Sequence, residues 1–140
     1  MDMKRYKPYL DKSFWIILIP TLALLAVGTV IACFEPIALF ILIPTDLFTV
    51  YFLITPLFGY VELRKTDVFI KYGLIMSKEI PYDKIRTITK ERKIYADGMV
   101  SLKLSLDHVN IKYNKFDVTS VSVINNDEFI EEINKRIFQV

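Results

Sequence analysis

Polar and apolar residues change their spacing twice along this chain. Residues 14–33 and 37–58 are two long apolar runs, parted only by Phe34-Glu35-Pro36. A helix needs about 20 largely apolar residues to cross the hydrocarbon core of a bilayer. Both runs reach that length, so residues 14–58 predict a transmembrane helical hairpin. From Tyr60 the period drops to two. Residues 60–65, 68–72, 74–80, 85–92, 100–106, 109–113 and 116–124 predict seven short strands. They are punctuated by Thr66-Asp67, Gly73, Pro81-Tyr82-Asp83, Ala96-Asp97-Gly98, Asp107-His108 and Asn114-Lys115. The alternation is strictest at 100–106, where Val100, Leu102, Leu104 and Leu106 share one face and Ser101, Lys103 and Ser105 the other. Strands this short and this close argue for an antiparallel sandwich or barrel.

After Asn125 the spacing becomes helical. Phe129, Ile130, Ile133 and Ile137 make one apolar stripe. Asn125 and Glu128 have the spacing of a capping box. Asp127 and Glu128 open the helix and Lys135 and Arg136 close it, as the helix dipole favours. The helix is expected to lie on an open side of the sheet and cap it. The predicted organisation is an N-terminal segment 1–13, a hairpin 14–58 and an all-β domain with a C-terminal helix, 60–140.

Composition narrows the function classes. The net charge of +2 is too small to argue for nucleic acid. Cys33 is the one cysteine, which excludes an internal disulfide; it reads as a small apolar residue at a helix end. The first apolar run is longer than the core of a signal peptide and a second follows at once, so it reads as an uncleaved helix. Lys4, Arg5, Lys7 and Lys12 precede the hairpin, Arg64, Lys65 and Lys71 follow it, and its tip has no Lys or Arg. The positive-inside rule then puts both ends in the cytoplasm, in the plasma membrane of the cell, with Tyr6, Tyr9 and Trp15 flanking the bilayer edge. Gly28 and Ala32 have the small-xxx-small spacing of a helix contact face.

Asp46 is out of place near the middle of the second span. An aspartate there costs about 2.5–3.5 kcal/mol to insert. Three readings stand: a neutral acid bonded to Thr45, Thr49 or, across the hairpin, Thr21; a contact to a second copy or another membrane protein; a proton or ion path. Lys84, Arg86, Lys90, Arg92 and Lys93 form a basic segment opposed only by Glu91. It reads either as a solvated strand face or as a surface for anionic lipid or an anionic partner. His108 is expected in an exposed turn. No metal site is legible, because His108 and Cys33 are each alone of their kind, and no cofactor motif occurs. Ser105-Leu-Asp-His108 does not make a triad, which needs side chains that converge in space, so no catalytic residue is assigned.

Seven short strands closed by one helix is the pleckstrin-homology order. Tyr60-Val-Glu-Leu with Val68-Phe-Ile-Lys-Tyr-Gly73, Ile80-Pro-Tyr-Asp-Lys-Ile85, Leu104-Ser-Leu-Asp-His-Val109 with Ile111 and Tyr113, and Asp127-Glu-Phe-Ile130 together resemble the YyaB-like group of small bacterial membrane proteins. Val121-Ser-Val-Ile124 departs from that group, where a proline often follows the serine. The resemblance implies a PH-like fold and a membrane address, and carries no catalytic set. Three functions are compatible with this reading: a non-enzymatic, membrane-anchored binding or scaffold module for a protein partner or anionic lipid; an immunity or resistance protein against membrane-active bacteriocins; and a small subunit of a membrane transporter. Membrane lipids, another membrane protein or a second copy packed through the hairpin are the partners these readings imply.

Overall fold

The computed structural model describes residues 2–98 and 101–139. Strand β1 (Lys4–Tyr6) comes first, followed by helices α1 (Lys12–Ala32) and α2 (Pro36–Ile54). Strands β2 (Tyr60–Leu63), β3 (Asp67–Lys71), β4 (Ser77–Pro81), β5 (Ile85–Arg92), β6 (Asp107–Tyr113) and β7 (Asp117–Val121) follow, and helix α3 (Asn126–Ile137) ends the chain.

The hairpin forms where the apolar runs require it. Asp11 caps α1, its carboxylate accepting from the Ser13 N–H at 3.4 Å. Pro36 opens α2, where its missing N–H costs nothing. Pro20 and Pro44 lie inside the helices. The threonines after and around them send their hydroxyls back to the carbonyl four residues earlier, Thr21 to Ile17 at 2.7 Å and Thr45 to Ile41 at 2.9 Å. Both helices are long and apolar enough to span a membrane, and α2 has no buried residue at all. They are therefore not the core helices of a water-soluble domain, which would be covered.

The rest folds as two antiparallel sheets, in the orders β1-β2-β3-β4 and β5-β6-β7. Val61, Leu63, Val68, Ile70, Ile80, Val109, Ile111 and Val121 point into one shared core. Helix α3 covers its open side with Phe129 and Ile133 fully buried and Ile130 and Ile137 partly so. The predicted cap is present, with Asn125 accepting from the Glu128 N–H at 3.3 Å. Seven strands and a C-terminal helix were expected and are found, but they are not the same seven.

Strand β1 was not expected. It lies ahead of the hairpin, yet it pairs with β2 behind it, Lys4 opposite Leu63 and Tyr6 opposite Val61. The hairpin is thus an insertion between neighbouring strands of one sheet. Tyr6, expected at the bilayer edge, is buried and meets Phe129 edge to face at 5.1 Å. The expected strand 100–106 begins outside the described residues and is no strand where it is described. Leu102 makes one parallel bridge to Val121, giving and taking backbone bonds of 2.9 Å with Ser120 and Ser122. Leu102 and Leu104 are buried as their alternation predicted. The segment then turns to α1, where the Asp11 N–H donates to the Leu104 carbonyl at 3.2 Å. The third strand starts at Ser77 instead of Leu74, because Leu74, Ile75 and Met76 belong to an exposed turn.

Two readings in the hairpin are corrected. Gly28 is not a helix contact: a methyl group placed there would meet nothing within 4 Å. Asp46 bonds across the hairpin, but to Thr29 and not Thr21, the hydroxyl lying 2.5 Å from Oδ2.

Candidate functional site

The hairpin leaves the domain from one end, and the side chains around that exit are unusual. Gly59 and Gly73 sit where the chain passes closest: a Cβ on Gly59 would stand 2.7 Å from the Lys71 carbonyl oxygen, and one on Gly73 would stand 3.0 Å from that of Thr55. The β3–β4 turn carries Leu74, Ile75 and Met76, all more than half exposed. Ile75 and Met76 share a cleft with Tyr51 and Phe52 of α2. On the other side, Ile94 lines a cleft with Ile16 and Ile17 of α1 and with Lys103. Ile94 and Tyr95 are themselves largely exposed. An apolar rim therefore flanks the root of each helix, with Lys71 and Lys93 close in sequence to its apolar side chains and Lys103 in the cleft beside α1. Such a contiguous exposed patch on a domain marks a surface that meets another apolar phase.

The basic segment lies along β5 and is divided by its partners. Arg86 and Arg92 are six residues apart, about 20 Å along the strand. At the end near the hairpin, Arg92 pairs in register with Asp107. The Lys93 N–H donates to Leu106, whose own N–H reaches the Asp11 carboxylate that caps α1. At the far end, the Asn114 N–H donates to the Lys84 carbonyl at 3.0 Å, and Arg86 donates to the Lys115 carbonyl at 3.0 Å. Midway, Lys90 is held by both oxygens of Asp127 at 2.8 and 2.9 Å. Lys93 lies 2.5 Å from Glu91 and 3.4 Å from Asp97. The Glu91 carboxylate beside it raises the Lys93 pKa, and Lys93 lowers that of Glu91.

The five residues therefore differ in their surroundings. Lys90 and Lys93 are neutralised by acids of this chain. Lys84, Arg86 and Arg92 have no ion pair among the described residues and are exposed. Arg86 instead shares a cavity of about 300 Å³ with Lys112, Lys115 and Phe116 at the β6–β7 turn. Lys112 and Lys115 were missed from sequence, because only the pairing of β5 with β6 brings them beside Arg86. Phe116 is 84% exposed at the tip of that turn, where Asn114 takes the left-handed conformation at φ 50°.

A second polar group lies behind β6. His108, expected in an exposed turn, is the second residue of β6 and is wholly buried. Asn110 is buried with it, donating to Asp97 at 2.5 Å and accepting from Ser120 at 2.5 Å. The polar side of β6 is covered because the loop 93–98 lies down on it. Gly98 permits this: a Cβ there would stand 2.2 Å from the Val118 carbonyl oxygen. Arg136 is in the last turn of α3, where the helix dipole favours it, and it does more than complement the dipole. It is buried, and its guanidinium donates to the carbonyls of Leu63, Arg64 and Asp2 at 2.9–3.3 Å, pinning α3 to the end of β2 and to the N-terminus.

Comparison with curated proteins and with solved structures gives no match. A family model described as bacterial PH domain matches residues 60–137, more than half of the chain and the stretch that holds β2–β7 and α3. The two antiparallel sheets, the covering helix and this match agree: the chain belongs to the bacterial PH domain family.

Proposed function

We propose that this protein is a non-enzymatic binding module, fixed to the cytoplasmic face of the cell membrane by its helical hairpin, of the YyaB-like kind. The observation that carries the reading is the pairing of β1 with β2. It ties the chain before α1 to the chain after α2, so both roots of the hairpin leave one domain on one side. The basic flanks then select the cytoplasmic side. The exposed apolar helices and the rim of Leu74, Ile75, Met76, Ile94 and Tyr95 support seating of the domain against the bilayer. Arg92, exposed at the end of β5 near α1 and without an ion pair among the described residues, is the basic residue placed for anionic lipid. Lys84 and Arg86, with Lys112 and Lys115, sit about 20 Å further along β5 and are placed for a protein partner or another anionic group in the cytoplasm. The Thr29–Asp46 bond supports a structural role for Asp46.

Cys33, exposed at the tip of the hairpin, is a native probe of this arrangement. In intact cells a membrane-impermeant maleimide should label Cys33. In a Cys33→Ser background, a cysteine at the exposed Phe116 should label only after permeabilisation. Labelling of both positions from the same side would exclude a spanning hairpin. For the ligand, the hairpin can be excised by joining Lys12 to Gly59 through a Gly-Ser linker, which keeps β1. This chain should float with anionic vesicles and not with neutral ones, and high salt should release it. Flotation that survives Arg92→Ala would show that this residue is not the lipid contact.

A further inference from the structure

We infer that Glu91, Asp97 and His108 form a binding site for a divalent transition-metal ion, zinc being the first to test, which ties the loop 93–98 to the β5–β6 ladder. Glu91 and His108 face each other directly in the antiparallel register. Asp97 arrives from the loop, held down by its bond from Asn110 and by the close pass of Gly98 over Val118. One ligand atom from each of the three lies within 4.8 Å of the other two. Ligands about 2.1 Å from a tetrahedral ion stand about 3.4 Å apart, so side-chain rotation and a small loop shift that bring them up to about 1.4 Å closer complete the site.

His108 points to a ligand independently of the acids. Its Nδ1 lies 2.9 Å from the Leu106 carbonyl oxygen. A carbonyl only accepts, so Nδ1 carries the proton. Nε2 is left with a lone pair, and it is buried without a hydrogen-bond partner. A buried polar atom left so is costly. An imidazole held at Nδ1 by a backbone carbonyl, with Nε2 free, is how metal-binding histidines are oriented. One imidazole nitrogen and two carboxylates, with Asp97 open to solvent, suit zinc or a similar first-row ion rather than calcium or magnesium, which take oxygen ligands. Lys93 now stands between the two carboxylates, 2.5 Å from one and 3.4 Å from the other. It supplies the charge that an ion would supply, so it competes with the ion, and metal binding swings it out toward solvent.

The test uses the full chain, without a histidine tag, stripped of metal in detergent and titrated calorimetrically with zinc chloride. One ion should bind per chain. Asp97→Asn should lower the affinity by about tenfold or more, whereas Lys93→Ala should raise it. The chain has one histidine, so X-ray absorption of the zinc-loaded protein should show one imidazole ligand. That measurement stands even if His108→Gln fails to fold. Absence of saturable binding, zinc without an imidazole ligand, or Asp97→Asn binding as tightly as the unaltered chain would each overturn the assignment.

Discussion

Phe40 in α2 is 82% exposed, and Phe129 in α3 is wholly buried. Both are phenylalanines on helices of one chain. The difference is what surrounds each helix. The hairpin is apolar on every side and presents that surface outward, whereas α3 is apolar on one stripe and turns it inward. A helix that is apolar all round needs an apolar solvent, and one with a stripe needs a partner. The two halves of the molecule are thus inside out with respect to each other. The chain passes between them beside the edge where β1 meets β2.

The largest test of this contrast is the same substitution at both phenylalanines. Phe129→Ala removes a ring from the core and should cost about 3–5 kcal/mol, seen as a large drop in the thermal midpoint of the β-sheet circular-dichroism signal. Phe40→Ala should leave that midpoint where it is. Equal effects would mean that the hairpin is packed like a core.

Arg136 sharpens the domain side of the comparison. Arg136→Ala removes a donor from three buried or half-buried carbonyls, those of Leu63, Arg64 and Asp2, and should destabilise the domain by about 1–3 kcal/mol in chemical denaturation. Arg136→Lys should not rescue it, because a lysine lacks the planar fork that reaches several carbonyls. Full rescue by lysine would reduce the role of Arg136 to its charge.

The hairpin side has a smaller counterpart in the Thr29–Asp46 bond. Interhelical hydrogen bonds in membranes average about 0.6 kcal/mol, with a maximum of about 1.7. Asp46→Leu and Thr29→Val should each loosen the hairpin by that order, and together by no more than either alone. Asp46→Asn should retain most of the contact. Disulfide trapping between cysteines placed on α1 and α2 measures it. Additive losses would show that the two residues serve different contacts.

The smallest effect is one of pH. Burial pushes Tyr82 up to about 12, with Arg136 nearby offsetting part of the rise. The folded state therefore keeps this proton longer than the unfolded chain, whose tyrosines titrate near 10. The contribution is complete below about pH 10 and is lost as the pH rises toward 12. Tyr82→Phe, which also forgoes the 2.9 Å bond to the Arg64 carbonyl, should melt slightly lower at pH 8 and lose less between pH 10 and 12. Parallel profiles for the two proteins would remove Tyr82 as the source.

Much of the architecture was readable along the chain, wherever the cause is local. Length and polarity alone mark the two long helices, since nothing but length and apolar surface is needed to make them. The period of two places β2, β3, β5 and β6 within a residue or two, and Asn125 with Glu128 marks the start of α3. Where the cause is distant, the chain was silent or misleading. Lys4-Arg5-Tyr6 has no strand signal of its own; it becomes a strand because β2, more than fifty residues later, offers an unpaired edge. Leu102 and Leu104 alternate like a strand and are buried like one, but the sheet is made by β5, β6 and β7, and Leu102 only bridges the end of β7. His108 sits in a polar pair that reads as a turn, and it is buried because a loop anchored by Gly98 covers that face of β6. The basic segment is uniform in sequence and divided in space, since neutralisation depends on acids brought in by α3 and by the loop. Sequence determined the helices, the cap of α3 and the strands with a signal of their own, because those follow from neighbouring residues and the solvent they require. Only the tertiary structure decided which polar groups meet, because those contacts depend on pairings between residues far apart in the chain.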